Sequence, residues 1–284
     1  MKKMTDKIDI RWLIAKGVLL HEDESLYHSR SRSGEMMSSH RLIKFRECPY
    51  RYFIETISPK ENEWNDSLRF GSAFHARFLE GEEAYRSRYP IVEPPINPKT
   101  GKPFGKGTNA YNGHYAMYGD GFVTPEEDRM IVDMKESFLR HQESDGILNY
   151  GDTELVCRRR ICGVDCQIRI DLLTEFAIYD VKTCADIMRF ERDAFAYGYP
   201  AQLAFYRDVL EDATGVRLPV YIFAFEKSES PIVGIWRVDE ELLDEETVQN
   251  RNALEEYRKC RETGVYPTGF ETVRVLRGKK KETR

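Results

Sequence analysis

The sequence contains no run of about 18 apolar residues, so no transmembrane helix is expected. Its first residues, Met1-Lys-Lys-Met-Thr-Asp6, carry charge into Ile8-Asp9-Ile10-Arg11-Trp12 and lack the apolar stretch of a secretory signal. A soluble, cytoplasmic protein with no membrane partner is the expectation. There is no Gly-x-Ser-x-Gly elbow, no P-loop and no dinucleotide fingerprint, which removes the usual markers of serine hydrolases, P-loop NTPases and Rossmann enzymes. Internal repeats are absent. None of the six cysteines forms a CxxC pair. Cys157, Cys162 and Cys166 lie close together, but in a strand–turn–strand stretch with no obvious fourth ligand. They read as free thiols rather than as a metal site.

An excess of positive charge is also missing: the formal net charge is −5. A uniformly basic nucleic-acid surface is therefore excluded, but phosphates respond to the local field rather than the total. Two basic runs stand out, Arg158-Arg159-Arg160 and the tail from Arg277 to Arg284. With 284 residues, 41% of them hydrophobic, the chain can bury one sizeable core.

Residues 1–35 read as a polar, irregular segment, with Ser29-Arg-Ser-Arg-Ser-Gly34 as a flexible stretch. Ser38-Ser39 looks like a cap before His40-Arg-Leu-Ile-Lys-Phe-Arg46. Residues 66–79 read as a helix with Leu68, Phe74 and Phe78 on its apolar face and Gly81 as its stop. The stretch 90–123, rich in Pro, Gly, Asn and Tyr, reads as a loop-rich insertion bordering something functional. Thr124-Pro125-Glu126-Glu127 starts a helix running to about Arg140. Three strands follow, over 153–161, 166–172 and 177–182, then a helix from Tyr199, strands over 220–225 and 232–236, and a closing helix from Glu240. That order predicts an α+β fold with a central mixed sheet flanked by helices.

Asp180 and Lys182 are two apart on a predicted strand, so they share a face, with Ile178 beside them. A carboxylate and an ammonium on one face of a central strand are costly to bury without partners. Asp171 ends the preceding strand, and a hairpin can bring both aspartates to one end of the sheet. Two close carboxylates repel unless a cation lies between them. Phosphodiester hydrolysis uses such a set: a hard divalent ion held by carboxylates, with a lysine at the developing charge. The alternative for a bare Asp-x-Lys is a surface salt bridge of little worth.

The stretch Gly163…Ile170-Asp171, then Ile178-Tyr-Asp180-Val-Lys182-Thr183, resembles the core of the RecB-like branch of PD-(D/E)xK nucleases. Gly71-Ser-Ala-Phe-His75 matches that branch's upstream Gly-x-x-x-His, and Gln202-Leu-Ala-Phe-Tyr206 its downstream Gln-x-x-x-Tyr. Phe190 to Tyr206, Ser38 to Tyr52 and the Val123-Thr-Pro-Glu-Glu127 helix start are similar to the exonuclease VIII (RecE-type) family. The likeness covers roughly residues 36–270, leaving 271–284 as a basic tail. It implies a restriction-endonuclease-like αβββαβ core. Asp171, Asp180 and Lys182 would be catalytic, the two aspartates serving as metal ligands. His75 would be a further ligand, with Glu154 supporting the metal shell. Gln202 and Tyr206 would brace the site or touch the DNA backbone. Arg41, Lys44, Arg46 and Arg51 are candidates for gripping a terminal phosphate.

The resemblance further implies a Mg²⁺-dependent exodeoxyribonuclease, with Mn²⁺ substituting, that degrades linear double-stranded DNA from 5′ ends. It would leave 3′ single strands for a single-strand annealing protein in recombination, and would work as a ring-like homo-oligomer. Such systems belong to phage or prophage. Two alternatives stand beside this reading. One is a CRISPR-adaptation-like nuclease with an iron–sulfur cluster, which Cys48 fits early in the chain but only Cys260 late. The other is a non-catalytic DNA-binding module on the same fold.

Overall fold

The computed structural model describes residues 7–58, 65–144 and 146–275. The basic tail from Arg277 lies outside the described residues. The chain opens with α1 (Ile10–Ala15), β1 (Leu19–His21) and α2 (Glu24–Arg32), followed by α3 (Ser39–Glu47) and α4 (Pro49–Ile57). Next come α5 (Asp66–His75), which runs into a π-helical turn (Ala76–Glu80), α6 (Glu82–Arg88), α7 (Asn109–Ala116) and α8 (Pro125–Leu139). The central strands are β2 (Gly151–Ile161), β3 (Val164–Thr174) and β4 (Ile178–Cys184). Helices α9 (Phe190–Ala196) and α10 (Tyr199–Thr214) lead to β5 (Val220–Glu226), β6 (Val233–Arg237) and α11 (Glu240–Thr263).

The sheet runs β1-β2-β3-β4-β5-β6, antiparallel except for the parallel pair β4–β5. The parallel pair needs a crossover, and α9 and α10 supply it. The β2–β3 hairpin closes on Ile161↔Val164 through Cys162 and Gly163, both at positive φ (51° and 79°), as a two-residue turn of the primed type requires. This is the mixed α+β sheet expected from the order of elements, at nearly the expected boundaries.

Each sheet face packs its own core. One gathers Leu155, Ile168, Ile170 and Ile178 against α3, α10 and α11, through Phe45, Phe205 and Leu254. The other gathers Leu172, Val181, Phe223 and Phe225 against α5 and α8, through Phe74, Phe78 and Phe138. The insertion closes over a small cluster of its own, Val92, Tyr115 and Phe122.

Two expectations need correction. The N-terminal segment is not irregular: Ile8, Ile10, Leu13 and Leu19 belong to the main core, and β1 pairs with β2 at Leu19↔Cys157. The supposedly flexible Ser29–Arg32 lies within α2, which starts at an Asp23 cap. This helix buries only Tyr27 and Ser31, too few positions to leave an apolar stripe in the sequence. On α5, Leu68 is 70% exposed, and the buried face is instead Phe70, Ala73 and Phe74.

Candidate functional site

The β3–β4 ladder supplies the site by opening. Its pairs are Leu172↔Tyr179 and Leu173↔Ile178, and it stops where Asp171 would face Asp180. Val181, just beyond, keeps its register with β5 opposite Phe223, while its N–H and C=O find partners away from any β3 backbone. The Val181 N–H donates to Asp171 Oδ2 at 2.7 Å. The Val181 carbonyl accepts from His75 Nε2 at 2.9 Å. Two side chains thus satisfy backbone groups that a continued ladder would have covered, and are fixed in place by doing so.

That bond decides the histidine's tautomer. With Nε2–H donating to a carbonyl, neutral His75 presents its Nδ1 lone pair, which lies 4.0 Å from Asp171 Oδ2. Burial drives the imidazolium below its ordinary pKa, against the pull of Asp171, so the neutral, ligating form is favoured. Helix α5 packs against β4 at Gly71, one turn before His75. A Cβ at Gly71 would lie 3.8 Å from Thr183 Oγ1.

Glu154 reaches the same point from β2. It sits in register opposite Asp171, between the pairs Thr153↔Leu172 and Leu155↔Ile170. Its φ of 57° is a left-handed conformation that costs a non-glycine residue energy, and such strain gathers at functional sites. Ligand atoms of His75, Glu154 and Asp171 all lie within 4.8 Å of one another, the one such grouping among the described residues. Burial, and then the charge of Asp171, push the Glu154 carboxyl up, while Arg169 Nε, 2.6 Å from Glu154 Oε2, opposes the shift.

Asp180 stands beside this triple rather than in it. It is 1% exposed, and its Oδ2 lies 2.6 Å from Lys182 Nζ. Neither oxygen has an aligned hydrogen-bond partner among the described residues. Burial pushes the Asp180 carboxyl up, opposed by Lys182 and reinforced by Asp171. For Lys182 the balance runs the other way: burial would lower it, but Asp180 and Asp171 hold the ammonium above its ordinary value. The surface salt bridge considered from sequence is therefore excluded by burial. The donor set fits a hard divalent cation: a histidine lone pair, two mutually repelling carboxylates, and a buried aspartate whose Oδ1 has no hydrogen-bond partner among the described residues.

The remaining candidates divide sharply. Gln202 and Tyr206 are both buried, with Gln202 Nε2 donating to the Tyr206 hydroxyl at 3.1 Å within α10, so they do not face solvent. Arg41 donates to the Ser31 carbonyl at 2.6 Å and to the Tyr52 hydroxyl. Arg46 is tied to Glu246, Asn250 and Gln249 at 2.7 Å each. Both guanidinium groups are thus held by protein partners. Lys44 is on the surface, paired with Glu55 at 2.8 Å, and Arg51 is exposed. Sequence reasoning missed Arg169, which links Glu154 to Glu24 Oε1 at 3.1 Å. An arginine two positions before Asp171 on a strand was the available signal. The cysteines remain free thiols, with burial pushing Cys157 up to about 11 and Cys166 to about 12.

The family model of the PDDEXK-like domain of unknown function (DUF3799) matches residues 38–279. The chain belongs to this family. Among solved structures, this PDDEXK-like chain is similar to a "Putative exonuclease" from Eubacterium rectale, with a TM-score of 0.64 and 18% identity. The match covers 92% of this chain and 96% of that one, and at this identity it speaks for the fold. No curated protein matches the chain significantly. Among the described residues, no helix is long and apolar enough to cross a membrane.

Proposed function

We propose that this PDDEXK-like protein is a divalent-metal-dependent exodeoxyribonuclease. It hydrolyses linear double-stranded DNA, 5′ to 3′, and leaves 3′ single strands for recombination with a single-strand annealing partner. The observation that carries the nuclease reading is the convergence of His75, Glu154 and Asp171 where the β3–β4 ladder opens, next to the buried Asp180–Lys182 pair. End dependence and polarity are supported by the resemblance to the exonuclease VIII family.

His75 Nδ1 and oxygens of Glu154, Asp171 and Asp180 would hold the metal. When bound, Mg²⁺ or Mn²⁺ supplies Lewis-acid polarisation of the phosphoryl oxygen and acidifies water. Asp171 keeps its orientation through the Val181 N–H, and His75 keeps its tautomer through the Val181 carbonyl. Lys182, held charged by Asp180, places an ammonium where the pentacovalent phosphate gathers negative charge. Gln202 and Tyr206, joined by a hydrogen bond within α10, would brace the site.

The test is a gel assay on linear duplex labelled at either end, beside covalently closed circles, with Mg²⁺, Mn²⁺, Ca²⁺ or excess chelator. Loss of the 5′ label from linear DNA in Mg²⁺ or Mn²⁺, intact circles, and no reaction in Ca²⁺ or chelator are expected. Undiminished activity in chelator overturns the metal mechanism, and rapid cutting of closed circles overturns the exonuclease reading.

A further inference from the structure

An aromatic path runs outward from Lys182 and has no part in the chemistry above. The Lys182 ammonium lies 5.0 Å from the centroid of the Tyr199 ring. The Tyr197 ring follows, 5.8 Å from Tyr199 with 38° between the planes. Burial falls along the path: Lys182 is largely enclosed, Tyr199 is half-buried and Tyr197 is 66% exposed. Gly198, at φ 72°, turns the chain between the two tyrosines. It lies against α3, where a Cβ would come within 3.4 Å of Ile43 Cγ2, so the turn is seated on the body of the protein. Helix α3 carries the exposed Lys44 next to Ile43.

So large an exposed ring contributes little to the core, yet it is stacked one ring beyond Tyr199, which itself lies over the ammonium expected to meet the scissile phosphate. A phosphate at Lys182 carries its own base a short distance along the strand. An open tyrosine face can receive that base only after it has left its duplex neighbours, because a stacked base has both faces covered. We propose that Tyr197 and Tyr199 form a stacking platform for an unpaired nucleobase of the strand being cut, so that the site takes a single-stranded or frayed end rather than an intact duplex. The proposal deepens the nuclease reading and rests on it for the position of the phosphate.

Fluorescence anisotropy with labelled oligothymidylate, and with an abasic tract of equal phosphate number, tests it without turnover. Both are measured in Ca²⁺ and in chelator, on wild type, Tyr197→Ala and Tyr197→Phe, with melting curves to confirm folding. Stacking on one base predicts that Tyr197→Ala binds oligothymidylate about 5- to 150-fold more weakly. Phenylalanine should restore affinity, because the ring face and not the hydroxyl carries the contact. The abasic tract should bind wild type weakly and lose little further in Tyr197→Ala. Wild-type affinity in the alanine variant, failure of phenylalanine to restore it, or an equal loss on the abasic tract overturns the proposal. So does a fall in sedimentation mass of Tyr197→Ala with DNA affinity unchanged, which would place a second copy of the chain on this ring. Base-dependent binding together with no hydrolysis of any DNA would leave the platform standing and remove the nuclease reading alone.

Discussion

Lys182 is where one side chain separates mechanism from structure. Its ammonium is enclosed with Asp180, and the pair is held by mutual attraction rather than by exposure. Lys182→Ala leaves a buried carboxylate that burial already pushes toward its protonated form, so the fold should survive. Turnover should fall by about 10²–10³ with little change in KM for DNA, as expected when a contact matters mainly in the transition state. Lys182→Arg should be strongly impaired as well, since guanidinium reach and donor geometry differ. Single-turnover rates on linear duplex, beside melting temperatures, check both; near-wild-type rates in Lys182→Ala remove this residue from the mechanism. His75 makes a separate claim, that Nδ1 is a ligand atom. Losing outer partners of metal ligands commonly weakens metal affinity about 10- to 100-fold. His75→Ala should therefore weaken Mn²⁺ binding by at least about tenfold in calorimetric titration, and unchanged affinity would show that the histidine serves only the Val181 carbonyl.

At the scale of elements, the position of α5 decides whether His75 reaches the sheet. Gly71→Ala should be tolerated, because a Cβ meets Thr183 Oγ1 at ordinary contact distance and alanine favours helix by up to about 1 kcal/mol. Gly71→Leu should push α5 off β4 and lower activity with His75 still present; full activity in that variant would show that the close approach is unnecessary. Helix α8 starts at a capping box of Thr124 and Glu127, and is anchored to α5 by Arg69, whose two terminal nitrogens lie 2.6 and 3.0 Å from the Glu127 oxygens. Burial would raise the Glu127 carboxyl, but Arg69 and the Thr124 N–H outweigh it and hold the pKa below 4.5. The folded value is the depressed one. This stabilisation is therefore fully present above about pH 4.5 and is lost as pH falls through the folded pKa. Glu127→Gln should lower stability at neutral pH and flatten the acid limb of the stability curve, read by urea unfolding between pH 3 and 7. Thr124→Ala should cost about 1 kcal/mol through the lost cap.

Across the whole molecule, Val265, Phe270, Val273 and Val275 are exposed along the C-terminal segment, which favours association. Sedimentation should give a mass above the 33.2 kDa of one chain, in keeping with the ring implied by the family resemblance, and a strictly single-chain mass at working concentration would remove the ring. The sequence by itself determined the order of β2 to β6 with α8, α10 and α11, because apolar alternation with period 2 and stripes with period 3.6 are local signals. It also placed Asp180 and Lys182 on one strand face, because side chains two apart point the same way. It offered Asp171 and His75 separately, each from a motif, and Glu154 only as an acid at the start of a strand. Only the tertiary structure decided that these three meet, because their meeting depends on a ladder that opens, a left-handed backbone at Glu154 and the packing of α5 against β4. None of these is written in periodicity. The N-terminal segment was misread for the same reason: its few buried positions find their partners on a strand more than a hundred residues away, and long-range pairing of that kind leaves almost no local trace. Arg41 and Arg46 looked free in the sequence because charge type is local, whereas the carbonyl and acidic partners that hold them are contributed by other helices.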